Sequence, residues 1–197
     1  MNTDLLQAAA RLVAEEGLDY DRAKRRAAEA LGLDARRTPM PSHEQLEDAV
    51  REHLALFQAD TQPAELAALR DVALAVMARL QAFAPHLRGA VWRGTATRLS
   101  PVVIDLYVDD PKAPELALLN AGVAFDSDGG DARDGRGAVL TLAEPCRALG
   151  EAATVHLVVN AMNDLRGALK PDSRGRSWRG SVQAVRALQA VQAQGPG

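Results

Sequence analysis

Residues 88–110, RGAVWRGTATRLSPVVIDLYVDD, decide how the chain is read. Arg88 to Trp92 is short, apolar and compatible with a β-strand. Gly94-Thr95-Ala96-Thr97 follows, a run of small residues where a backbone can approach a ligand closely. From Val102 the pattern alternates. Val103, Asp105, Tyr107 and Asp109 point one way, and Val102, Ile104, Leu106 and Val108 point the other. The second set is wholly aliphatic and has to be buried. The first carries an acid, a phenol and another acid. A polar strand face beside a Gly-Thr turn is a candidate site.

Downstream, Thr154 to Val159 alternates in the same way, with Val155, Leu157 and Val159 on one side and Thr154, His156 and Val158 on the other. If the two strands lie together in one sheet, Asp105, Tyr107 and His156 share a face. Between them, Pro114 to Ala121 reads as a helix stopped by Gly122. Val123 to Asp126 and Ala138 to Leu142 read as a hairpin around DSDGGDARDGRG. That loop invites a calcium reading. Its acids at Asp126, Asp128 and Asp131 miss the alternate spacing of an EF-hand, and Gly137 stands where the bidentate glutamate is needed, so a plain hairpin loop is expected.

Upstream the chain is helical. Asp4 to Glu16 carries Leu5, Leu6, Ala9, Leu12 and Val13 at helical spacing and ends at Gly17. Asp21 to Leu31 forms a second helix ended by Gly32. Ser42, with Gln45 three residues on, has the form of a capping box opening a third. Pro63 suits the first turn of a long fourth helix, Ala64 to Phe83, stopped by Pro85. Ser181 caps a last helix, and a disordered tail is expected after Gln192.

The central stretch resembles the core of the nucleotidyltransferase superfamily, that of polymerase beta and the minimal nucleotidyltransferases. Gly94-Thr95 stands where that family has Gly-Ser, and Ile104-Asp105-Leu106-Tyr107-Val108 stands where it has a strand with two acids one residue apart. The likeness covers roughly residues 65–160. It departs at Tyr107, which replaces the second acid, and His156 is the counterpart of the third. The Gly-Thr-Ala-Thr segment also resembles that of bacterial proteins labelled UDP-N-acetylmuramate–alanine ligase. The chain has no G-x-x-x-x-G-K-[ST] phosphate loop, so that activity is not carried over.

The resemblance implies an α/β (α+β) fold, a nucleotidyltransferase-like mixed sheet packed with helices, after an all-helical N-terminal module. The expected divisions are 1–60, 61–180 and 181–197. It also implies magnesium, with Asp105 the catalytic and metal-binding acid, and a nucleotide or other phosphate-bearing ligand on Gly94, Thr95, Tyr107 and His156. The segment from Arg166 to Arg179 adds five cations, of which Arg174 and Arg176 are assigned to phosphate. The competing reading has these cations neutralise Asp164 and Asp172.

Chemistry limits this picture. Two-metal catalysis needs ions about 3.5–4 Å apart, bridged by acids. Asp105 and Asp109 share a face, but four residues at about 3.3 Å each set them roughly 13 Å apart. Tyr107, a neutral phenol, is a poor magnesium ligand. Three functions stay open: a degenerate site that still binds a phosphate-bearing ligand, an active transferase using unusual ligands such as Asp109 and Asp110, and DNA binding through the first two helices. For the last, the cluster Lys24-Arg25-Arg26 is one helical turn long and the net charge is −3, which favours a solvated helix face over nucleic acid. The composition, 47% hydrophobic and 25% charged, is that of an ordinary globular chain. A lone Cys146 makes no internal disulfide. No signal-peptide pattern or long apolar run is present, so a cytoplasmic protein away from membranes is expected. Asp105 and His156 read as surface groups, whose replacement by Ala is expected to cost within about 0.5 kcal/mol.

Overall fold

A computed structural model of the chain describes residues 2–34, 36–128 and 137–193. Among these residues it is a mixed α/β protein with eight α-helices and a six-stranded mixed sheet. The chain divides into two compact units. One comprises Met1–Leu66 with Thr95–Ser100, and the other Ala67–Gly94 with Pro101–Gly197. The expected divisions at 60 and 180 therefore move. The last helix belongs to the sheet-containing unit, and Thr95–Ser100 joins the helical one.

The helical unit holds α1 (Thr3–Glu16), α2 (Tyr20–Ala30) and α3 (His43–Phe57). Asn2, Asp19 and Ser42 cap them, and Ser42 and Gln45 make the reciprocal bonds of a capping box. Leu5, Ala9, Ala10, Ala27, Ala28, Leu46 and Val50 form its fully buried centre. The small alanines let the helices approach closely. Gly17 ends α1 in the left-handed region at φ +67°, and a Cβ there would lie 2.3 Å from the Leu99 carbonyl oxygen. Only glycine fits both demands.

The second unit is built on α4 (Gln62–Arg79), which enters it from Ala67 onward, and on the sheet. The strands are β1 (His86–Arg88), β2 (Val102–Val108), β3 (Asp126–Ser127), β4 (Val139–Cys146), β5 (Glu151–Ala161) and β6 (Arg179–Gly180). Their order is β3-β4-β5-β2-β1-β6. β2 and β5 run parallel, and every other pair is antiparallel. Further helices are α5 (Gly89–Arg93), α6 (Ala113–Asn120), α7 (Leu165–Ala168) and α8 (Val182–Ala193). The strand expected at Arg88–Trp92 is corrected: β1 ends at Arg88, because Gly89 at φ +71° turns the chain into α5. The expected hairpin pairs β3 with β4, but its first strand is shifted: β3 shares only Asp126 with the expected Val123–Asp126, while β4 starts at Val139 within the expected Ala138–Leu142. Most of the loop read for calcium, and the tail read as disordered, lie outside the described residues.

The sheet's aliphatic side is Leu87, Ile104, Leu106, Leu140, Val155 and Leu157, each fully buried. Helix α4 supplies Leu69, Ala73, Val76 and Met77, also fully buried. Arg79 of α4 pairs with Glu144, which the alternation of β4 puts on the aliphatic side. No helix among the described residues is long and apolar enough to cross a membrane.

Ile104→Ala is expected to destabilise the protein by about 2–5 kcal/mol, the usual loss on truncating a buried aliphatic side chain. Urea denaturation would register this as a lower midpoint at unchanged slope.

Candidate functional site

Register settles which residues share the polar face. In the parallel pair, Val103 lies opposite His156, Asp105 opposite Val158 and Tyr107 opposite Asn160. In the antiparallel pair, His86 lies opposite Asp105 and Arg88 opposite Val103. Arg179 of β6 lies opposite Arg88, and Thr141 of β4 opposite His156. Paired residues project to the same side of a sheet. One face therefore carries His86, Arg88, Asp105, Tyr107, His156 and Arg179. Asp105, Tyr107 and His156 come together as the alternation implied.

Asp105 is only 2% exposed. Its Oδ1 accepts a hydrogen bond from Nε of Arg88 at 2.8 Å, and its Oδ2 from Nε of Arg179 at 2.5 Å. Asp105 is thus a buried anchor rather than a surface acid, which corrects the expectation that its loss costs little. Arg88 makes no other hydrogen bond among the described residues, and its side chain is 38% exposed. Its terminal nitrogens remain for another acceptor. Arg179 also donates to the carbonyl oxygen of Ala168 at 3.1 Å, tying the turn after α7 to the sheet.

Tyr107 is 1% exposed, and its ring meets that of His86 edge-on at 5.6 Å. Burial, helped by the charge of Asp105, raises its pKa against the pull of Arg179 and Arg88. It stays a neutral phenol at physiological pH and supports the face from beneath. His156 is half-buried. Its Nδ1 shares a hydrogen bond with the Thr141 hydroxyl at 3.0 Å, and its Nε2 makes no hydrogen bond among the described residues. Burial lowers its pKa, and the nearby charge of Arg88 lowers it further. The imidazole is neutral at pH 7.

Thr95 is withdrawn from the ligand-binding set. It is fully buried in the helical unit, where its hydroxyl shares a hydrogen bond with the Tyr20 hydroxyl at 3.3 Å. Thr97 similarly donates to the Ala14 carbonyl oxygen at 3.3 Å. The small residues serve packing. Gly94 is the left-handed cap of α5 at φ +81°.

In the basic segment, Asp172 is the organiser. Its Oδ2 accepts from Arg93 at 3.0 Å and from Nε of Arg176 at 3.1 Å. Its Oδ1 accepts from the backbone N–H groups of Arg174 and Arg176. Burial works to raise its pKa, but the Arg176 N–H, the Arg93 guanidinium and the Arg174 N–H prevail and hold it at about 2. Arg176 is therefore engaged with Asp172, as the neutralising reading had it, while Arg174 lies exposed on the same turn. Trp178 lies under the Arg93 guanidinium at 4.3 Å.

These residues do not fit a two-magnesium centre. Both oxygens of Asp105 are already held by cations. Tyr107 is a buried phenol. Asp109 and Asp110 are exposed beyond the end of β2, and Asp110 caps the N–H of Lys112. Among the described residues, no three His, Cys, Asp or Glu side chains gather to hold a metal. In the N-terminal cluster, Lys24 is buried against Asp21 and the Pro41 carbonyl, and Arg26 pairs with Glu16 at 2.5 Å. The three cations do not present one basic face.

The residue the sequence reading missed is Arg88. Had His86-Leu87-Arg88 been read as a strand, alternation about the apolar Leu87 would have put Arg88 on the face opposite Leu87, and the register with β2 then brings it to Asp105. Comparison with family models, with curated proteins and with solved structures found no match to this chain.

Two outcomes are expected. Asp105→Ala leaves two guanidinium groups facing each other without their anion and should cost about 3 kcal/mol. That is the low end for breaking a buried ion pair, since both arginines are partly exposed; chemical denaturation measures it. His156 has a depressed pKa, so its contribution is fully present above its unfolded pKa near 6.5 and is lost as pH falls through the lower folded value. The melting temperature should fall as the pH is lowered through about 6.5, with a shallower slope in His156→Gln.

Proposed function

We propose that this chain is a nucleotidyltransferase-like binding protein whose acid site has been rebuilt to hold a phosphate-bearing ligand, a nucleotide being the first candidate. One observation carries the reading: Asp105 is held between Arg88 and Arg179. One carboxylate between two guanidinium groups leaves one net positive charge on a sheet face. Arg88 keeps its terminal nitrogens for an acceptor, and an arginine fork matches phosphate geometry. Neutral His156 offers Nε2 as a further hydrogen-bonding group on the same face. Asp105 and Tyr107 fix the arginines and the floor, while Arg88 and His156 make the contacts. Gly94-Thr95 has no part in this reading.

Ligand-induced stabilisation is the test. Binding to the folded state alone adds about 2.7 kcal/mol at one hundred times the dissociation constant. For a chain of this size, that raises the melting temperature by roughly 2–4 °C per kcal/mol. ATP, UTP and inorganic pyrophosphate are each titrated, with and without Mg²⁺. A saturable rise independent of Mg²⁺ and absent in Arg88→Ala is expected. If none of the three shifts the wild-type midpoint, the proposal fails.

A further inference from the structure

The helical unit carries a groove of its own, and the inference drawn from it does not rest on the function proposed above. A groove of 500 Å³ runs between α1 and α3, and its lining includes Asp4, Gln7, Arg11, Glu15, His53 and Phe57. The side chain of His53 is nine-tenths buried, with 10% exposure. Its Nε2 is buried and has no hydrogen-bond partner among the described residues. Glu15 Oε1 lies 3.4 Å from that nitrogen, without the alignment of a hydrogen bond. The Phe57 ring packs on His53 with centroids 4.7 Å apart, yet Phe57 is 72% exposed.

A buried polar atom without a partner is uncommon, because it forfeits its hydration for nothing. Here the missing partner has defined chemistry. It must serve an imidazole nitrogen and a carboxylate oxygen that converge on one point. A group with several N–H donors on a single atom does both, donating to the imidazole lone pair and to the carboxylate. Phe57 adds an exposed aromatic surface that favours a cation and an attached apolar body. Among the carboxylates and guanidinium of the lining, Asp4 and Glu15 against Arg11 leave one net negative charge, which matches a monocation. The groove far exceeds the roughly 30 Å³ of one water, so an organic molecule fits. We propose that this groove binds a small organic molecule bearing a primary ammonium group, held by Glu15 and His53 with its apolar part on Phe57.

The probe is 2-phenylethylammonium, titrated into the isotopically labelled full chain while backbone amide shifts are followed by NMR. Tetramethylammonium, a cation without N–H donors, is titrated in parallel at equal ionic strength. Saturable shifts on α1 and α3 with a millimolar dissociation constant are expected for the first and not for the second. Glu15→Gln should weaken binding at least about tenfold. The Glu15 side chain is 51% exposed, so this variant keeps its fold. His53→Phe, which keeps a ring against Phe57, should do the same. The proposal is overturned by a non-saturating titration, by equal binding of tetramethylammonium, or by unchanged affinity in Glu15→Gln.

Discussion

A carboxylate at 2% exposure stays charged only if the protein replaces the water it has lost, and Asp105 is in that position. Arg88 and Arg179 supply the replacement from two strands, β1 and β6. The consequences run through the sheet. β1 has three residues and β6 two, too short to be stable on backbone pairing alone. The two guanidinium bonds converge on the longer β2 and hold this edge in register. Because Arg179 also binds the Ala168 carbonyl oxygen, the same carboxylate orders the return of the chain from α7.

The same device appears at Asp172. There one carboxylate gathers Arg93, Arg176 and two backbone N–H groups, and its side chain is fully enclosed. Ser177 continues the connection by accepting from the indole N–H of Trp92 at 2.8 Å and from Arg93 at 3.0 Å. A segment that looks in sequence like a cationic arm is thus folded around an anion of its own. Two of its arginines, Arg176 and Arg179, are ion-pair partners of buried acids. The cation left most accessible on the polar face, Arg88, lies outside that segment.

What was legible followed from period. Alternation in 102–108 and 154–159 gave the buried and polar faces, and caps such as Ser42 with Gln45 gave helix starts. What was not legible depended on long-range pairing. Three residues of β1 carry too little periodicity to reveal a strand, so Arg88 went unassigned beside Asp105. Gly-Thr-Ala-Thr is compatible equally with a phosphate turn and with close packing, since a Thr hydroxyl satisfies either a ligand or a neighbouring helix. Tyr20, 75 residues away in sequence, decides the matter at Thr95. The polar side of β2 also read as a surface for Asp105, whereas the structure buries it between the two arginines.

Tyr107 then has an electrostatic explanation. At 1% exposure, a second carboxylate at position 107 would lose its hydration next to the charge of Asp105. A pair of divalent cations offsets such a cost where acids are clustered. Two guanidinium groups already shared by Asp105 do not, because each oxygen of that carboxylate already takes one Nε. A neutral phenol fills the volume, meets His86 edge-on and adds no charge. On the proposed reading, the change from acid to tyrosine and the recruitment of Arg88 and Arg179 are one substitution of electrostatics. Positive charge comes from side chains instead of metal, the count of acids falls to match, and the surplus of one cation is left for an anionic ligand.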